Sequence, residues 1–180
     1  DYGTSVATEI VARDNQNQLK ITIDKLILCN GSMHIELAKL RTIQKLLKNK
    51  LTGKWVAKLA NQAILNSNIK KIYFDAKKVT QEELNEMWLQ INYNNGRSVI
   101  HLLSNYINER YFFWNRWSGG LTKTKIPTKI VGATHDPIAV KAIGEQLQKE
   151  IPSNELLWLE NTGHFPMLEN PEEWSELVLK

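Results

Sequence analysis

The chain has 180 residues, 42% hydrophobic and 23% charged, with a formal net charge of +4, the composition of one soluble globular domain or a large part of one. No apolar run reaches the about 18 residues that a membrane span needs, and a single cysteine, Cys29, excludes a disulfide framework or a thiolate metal site. The mildly basic balance, with a pI near 9.1, favours anionic surfaces slightly without singling out nucleic acid.

The chain opens on "DYGTSVATEI", with no strand before its first helix. Val6, Ile10 and Val11, with Leu19 just beyond, recur at roughly helical spacing over residues 4–18, with Thr4 and Ser5 suited to a cap and "DNQNQ" as a polar stop. "KLILCNGS" then reads as a short buried strand halted by Asn30-Gly31, with Cys29 as a small core residue. From about residue 35 to 117 the pattern turns helical, in "ELAKLRTIQKLLKNK", "GKWVAKLANQAIL", "TQEELNEMWLQI" and "SVIHLLSNYINERYFFW". Thr80 and Glu83 form a capping box for the third of these, and Asn94-Asn95-Gly96 is a turn before the fourth.

Beyond "SGGLTKTKIP" come a strand, "TKIVGAT", a helix, "PIAVKAIGEQLQKE", a strand, "ELLWLEN", and a helix with proline at its first position, "NPEEWSELVL". Such alternation predicts an α/β fold, a parallel sheet flanked by helices. The helical stretch is an insertion, which divides the chain into core (1–33), helical cap (34–118) and core (119–180). There are no repeats and no low-complexity tract.

In sheets of this kind ligands bind outside the carboxyl ends of the strands. His135, Asp136 and Pro137 follow "TKIVGAT"; Thr162, Gly163 and His164 follow "ELLWLEN". Asp136 alone could cap the next helix, and His164 alone could be a surface histidine. One helix and one strand apart, they read together as the acid and base of a triad in the chain order nucleophile, Asp, His. The nucleophile then belongs at the start. Asp1 as nucleophile places small Gly3 two residues on, as a sharp strand-to-helix elbow requires, and makes the Tyr2 N–H an oxyanion donor. Ser5 is the rival: "GTSVA" is a degenerate Gly-x-Ser-x-Gly, with Gly3 before it and Ala7 after it.

The segments "DYGTSVATEIVAR", "LILCNGSM", "EELNEMWLQINYNNG", "SNYINER", "GATHDP" and "GHFPMLENP" together resemble the C-terminal part of an α/β-hydrolase of the haloalkane dehalogenase and epoxide hydrolase group. Within it the chain is most similar to the mesoderm-specific transcript proteins and their bacterial relatives. The resemblance implies an aspartate nucleophile at Asp1, normally preceded by histidine, and a general base at His164. The family acid follows the sixth or the seventh core strand. Asn30, at the end of the sixth, cannot be a charged acid, so the role falls to Asp136. The first five strands, the loop with the second oxyanion donor and the histidine before the nucleophile would lie upstream of Asp1. Without them the sixth strand is expected to show an open apolar edge, and residues 1–180 alone to be aggregation-prone and inactive.

The implied chemistry is attack by Asp1 on a carbon bearing halide or an epoxide oxygen, then hydrolysis of the alkyl-enzyme ester by water that His164 activates and Asp136 supports. It requires no cofactor and no metal, only a small apolar substrate and water. Tyr106, Tyr111, Trp114 and Trp117 are the leaving-group candidates in the cap, although aromatics at helical spacing usually pack. His34 and His101 read as structural. The basic run Lys39, Arg41, Lys45, Lys48, Lys50, Lys54, Lys58 is a solvated face or a weak attachment to an anionic membrane surface. No nucleic-acid partner is expected, and the expected location is cytoplasmic, with membrane association allowed. A Ser5 carboxylesterase and a non-catalytic interaction protein on the same fold are the competing functions.

Overall fold

The computed structural model describes residues 2–179; Asp1 lies outside them. Three short parallel strands form the sheet: β1 (Leu26–Cys29), β2 (Thr128–Ala133) and β3 (Asn154–Leu159), in the order β1-β2-β3. Leu28 pairs with Ile130, and Ile130 with Leu156. The carboxyl ends of all three strands therefore lie along one rim. β2 is central, with Ile130 and Val131 buried, as a parallel strand covered on both faces should be. β1 and β3 both leave the sheet through asparagines with positive φ, Asn30 (44°) and Asn161 (49°), a conformation that asparagine tolerates better than most residues.

Helix α1 (Tyr2–Asp14) starts before Thr4 and Ser5, so these residues do not cap it. They are buried with Thr8, Val11 and Ala12 on its inner face. It ends at Asp14, the first residue of the expected polar stop, in a turn where Asn17 takes φ 56°. The inserted helices are α2 (Thr42–Leu47), α3 (Gly53–Leu59), α4 (Gln62–Lys70), α5 (Gln81–Asn92), α6 (Ile100–Leu103), α7 (Tyr106–Phe112) and α8 (Trp114–Leu121), with a 3-10 segment at Tyr93–Val99. They are shorter than the periodicity predicts. Residues 36–50 are helical only from Thr42, because Leu37 and Ala38 turn to pack against the main core. The "GKWVAKLANQAIL" stretch breaks at Ala60, where Asn61 caps α4 by accepting from the Ile64 N–H at 3.0 Å. The capping box at Thr80 and Glu83 forms as expected.

The cap boundary expected at residue 118 falls inside α8. Trp117 and Leu121 join Val11, Leu28 and Ile130 in the main core cluster, so this helix packs as part of the core. Helix α9 (Lys141–Glu150) covers the sheet through Ile143 and Leu147. It begins four residues after the expected start at Pro137. The chain closes with α10 (Pro166–Glu169) and α11 (Pro171–Leu179). A second cluster, Tyr73, Val79 and Leu84 with Phe165, ties the inserted layer to the loop before α10. Among the described residues no helix is long and apolar enough to cross a membrane.

Candidate active site

Beyond the end of β2 the chain turns at Asp136. Its Oδ1 accepts from the Ile138 and Ala139 N–H groups at 2.7 and 2.9 Å. This fixes the carboxylate plane and leaves Oδ2 pointing along the rim. There it meets His164 Nδ1 at 2.7 Å. The Asp136 side chain is fully buried and that of His164 is 9% exposed, so the pair is shielded from water yet open on one side. An Nδ1–H donated to the carboxylate leaves Nε2 as the acceptor, the arrangement a general base needs. Asp136 does not cap the next helix, which starts only at Lys141; one of its oxygens holds the loop ahead of α9 and the other holds His164.

The loop carrying His164 is held from three directions. Asn30, at the end of β1, donates from Nδ2 to the Gly163 carbonyl at 3.0 Å and accepts on Oδ1 from the Ala133 N–H at 2.9 Å. It therefore bridges the ends of β1 and β2 to the histidine loop, a neutral task that a carboxylate could not perform. From the inserted layer, Ile72 accepts the His164 N–H at 2.9 Å. From α10, buried Glu169 accepts on Oε1 from the Gly163 and Phe165 N–H groups (3.1 and 3.3 Å) and on Oε2 from the Phe74 N–H (2.7 Å). A Cβ on Gly163 would lie 2.5 Å from the Ile72 carbonyl and 2.6 Å from the Phe74 nitrogen. Only glycine lets the inserted segment pass this close.

The first turn of α1 stands at the same rim. Gly31, next to Asn30, has no room for a Cβ against the Thr4 side chain. Tyr2 opens the helix, so its N–H belongs to the first-turn group that the helix itself leaves unbonded. Asp1 lies outside the described residues. Ser5 is engaged elsewhere: it is buried, and its Oγ accepts from Arg110 Nε at 2.9 Å. Arg110 of α7 is itself fully buried, donates to the Ser32 carbonyl at 2.7 Å and lies 4.8 Å from the Tyr106 ring centroid. Desolvation lowers its pKa to about 10, which still leaves it a cation at neutral pH. A guanidinium donating to Ser5 stabilises that hydroxyl oxygen but cannot take its proton.

The four cap aromatics separate. Tyr106 packs edge-on to Tyr2 with centroids 5.4 Å apart, beside the start of α1. Burial raises its hydroxyl above the usual tyrosine pKa, which keeps it a proton donor. Trp117 gives its indole N–H to Glu9 at 2.9 Å inside the α1–α8 contact. Trp114 packs against His34, and Tyr111 is exposed. His34 is buried between two carboxylates, Glu36 (2.8 Å) and Glu150 (2.9 Å), the first of them only two residues away. Cys29 is half-buried, not fully; the Trp174 N–H reaches its sulfur at 3.4 Å, and desolvation raises its thiol pKa. Arg110, Glu169 and the bridging role of Asn30 were not foreseen from sequence. For Glu169 the available signal was an acid on the apolar side of "FPMLEN".

Over 179 residues the chain is 33% identical to LipZ of Mycobacterium tuberculosis, a protein named as a hydrolase, covering 99% of this chain and 62% of that one. The chain has the α/β-hydrolase fold. The mouse mesoderm-specific transcript protein is 33% identical over 175 residues, 95% of this chain and 52% of its own length. The chain thus spans between half and two thirds of these curated relatives. A serine hydrolase from the hydrocarbon-degrading bacterium Cycloclasticus zankles shares the fold with a TM-score of 0.68 at 14% identity, over 98% of this chain and 59% of that one. No protein-family model matches the sequence.

Proposed function

We propose that the protein carrying this chain is a hydrolase in which Asp1 attacks an electrophilic carbon of a haloalkane or epoxide and His164, backed by Asp136, drives the hydrolysis of the resulting ester. The observation that carries this reading is the 2.7 Å contact of Asp136 with His164, at a rim where the first turn of α1 meets the end of β1. A carboxylate needs no base to be nucleophilic, so the first step forms a carbon–oxygen bond and expels halide or opens the epoxide. In the second step His164 removes a proton from water, and the hydroxide attacks the ester carbonyl. The Tyr2 N–H supports the developing oxyanion. The acyl carbon–oxygen bond breaks, and the departing alkoxide takes the proton of the new carboxylic acid and leaves as the alcohol. Asp1 returns as the carboxylate, and His164 passes its proton back to Tyr106 or to solvent. Tyr106, half-buried and protonated beside Tyr2, is the side chain we assign to the leaving oxygen of an epoxide.

The test uses the intact protein. With His164→Gln and either 1-bromobutane or styrene oxide, the peptide containing Asp1 should gain the mass of the alkyl adduct and hold it. Hydrolysis of p-nitrophenyl butyrate through an acyl group on Ser5, with Asp1 unlabelled, would replace this reading with the serine one. An intact protein inert to all three probes would leave a fold without the chemistry.

A further inference from the structure

The structure exposes a second feature, on the inserted layer. Between Leu37 and Phe74 the chain holds nine lysines and arginines and no aspartate or glutamate; since the whole chain sums to +4, the remaining residues sum to −5. Basic charge is therefore concentrated in one part of the inserted layer. Within it, four lysine–apolar pairs follow one another: Lys45-Leu46, Lys50-Leu51, Lys54-Trp55 and Lys58-Leu59. All four lysines are exposed, and none makes an ion pair among the described residues. Their apolar neighbours are exposed as well: Leu46 at 40%, Leu51 at 83%, Trp55 at 65% and Leu59 at 72%.

The geometry of α3 explains why both sets face outward. Gly53 and Ala57, four residues apart, are its buried side. Gly53 sits against the Leu47 carbonyl and His101, with no room for a Cβ. At 100° per residue, Lys54 and Lys58 then form one outward stripe and Trp55 and Leu59 the stripe beside it. Lys58 Nζ lies 6.0 Å from the Trp55 ring, so cation and indole share one patch.

We propose that the α2–α3 edge is a docking surface for anionic phospholipid bilayers. Leu46, Leu51, Trp55 and Leu59 enter the boundary between headgroups and acyl chains, while the four lysines meet the lipid phosphates. Interfacial attachment needs this combination of apolar insertion and cationic attraction. A nucleic-acid surface would use the lysines but has no use for Leu51 and Leu59, and Trp55 alone offers a base a stacking face. A second copy of the chain would bring like charges together across a two-fold contact.

The experiment is sedimentation of the intact protein with vesicles of phosphatidylcholine, with and without about 30% phosphatidylserine. Binding is expected to the anionic vesicles and to fall as salt rises. Lys50→Gln, Lys54→Gln and Lys58→Gln combined should weaken it about a hundredfold, taking about fivefold per lysine. Leu51→Ser with Leu59→Ser should weaken it too, without altering thermal unfolding. The blue shift of tryptophan emission on adding vesicles should vanish in Trp55→Phe. Equal sedimentation with both vesicle types, or none with either, would overturn the proposal. So would tighter binding to duplex DNA than to anionic vesicles, or a dimer in solution that the lysine substitutions alter.

Discussion

Replacing Glu169 by glutamine tests whether the histidine loop is held by a buried carboxylate. Glu169 is 4% exposed and accepts three backbone N–H groups: Gly163 and Phe165 on one oxygen, Phe74 on the other. Glutamine is nearly the same shape but has a single acceptor oxygen. If that oxygen stays with Gly163 and Phe165, the amide nitrogen faces the Phe74 N–H across a gap that was 2.7 Å, donor against donor. One buried N–H left unpaired costs about 1–3 kcal/mol. The two surviving bonds lose their charge assistance, roughly half their strength, for about 1 kcal/mol more. Glu169→Gln should therefore destabilise the intact protein by about 2–4 kcal/mol in urea unfolding. The Phe74 amide should lose exchange protection by more than neighbouring amides do. A change below about 0.5 kcal/mol, or an unaltered Phe74 exchange rate, would refute the argument, because either result means that the carboxylate is not what holds these three amides.

Arg116, then Arg13 and Trp117, hydrogen-bond Glu9 and lower its carboxyl from 4.5 to about 2 against a desolvation penalty. A depressed carboxyl adds stability that is complete above the unfolded value near 4.5 and is lost as pH falls towards 2. Glu9→Gln should lose about 1–2 kcal/mol at neutral pH, discounted for partial exposure, and show a flatter stability curve between pH 4.5 and 2; an unchanged slope in acid titration of urea midpoints would count against it. Asn30→Asp sets a carboxylate against the Gly163 carbonyl that now accepts from Nδ2 at 3.0 Å, and should cost about 2–3 kcal/mol at neutral pH; a neutral effect in the same unfolding assay would show that the bridge is dispensable. Gly163→Ala puts a methyl 2.5 Å from a backbone oxygen and should cost about 3 kcal/mol, so full stability in this variant would disprove the tight passage of residues 72–74.

The strands and the rim were legible because their signals are local. Each strand is a short apolar run, β1 and β3 ended by asparagine turns, and Asp136 and His164 follow β2 and β3 within a few residues. The parallel register comes from the alternation of strand and helix, which leaves little choice of topology. The inserted layer was legible as helical but not in its breaks. Ala60 and Asn61 interrupt one continuous periodic stretch, and only packing explains why "IELAKL" is not helical. Contacts between distant residues carry no sequence periodicity at all. Arg110 lies 105 positions from Ser5, Glu169 lies 95 from Phe74, and Asn30 lies 133 from Gly163. Each is a polar side chain drawn inside by backbone groups that need a partner, a demand visible only once the chain is folded.

That demand also lets Asp136 hold a loop and an imidazole at once. A carboxylate bonded to His164 alone could rotate about its side-chain torsions and lose the imidazole. With Oδ1 fixed by two backbone N–H groups, rotation would break two bonds to buried donors, at about 1–3 kcal/mol each. Oδ2 is consequently held 2.7 Å from Nδ1 before any substrate arrives. The same logic applies on the other side of the pair, where Asn30, Ile72 and Glu169 fix the backbone of residues 163–165. Preorganisation at this rim follows from satisfying buried backbone groups. Substitutions that leave an N–H or carbonyl unpaired there should therefore impair orientation of the imidazole before they unfold the protein.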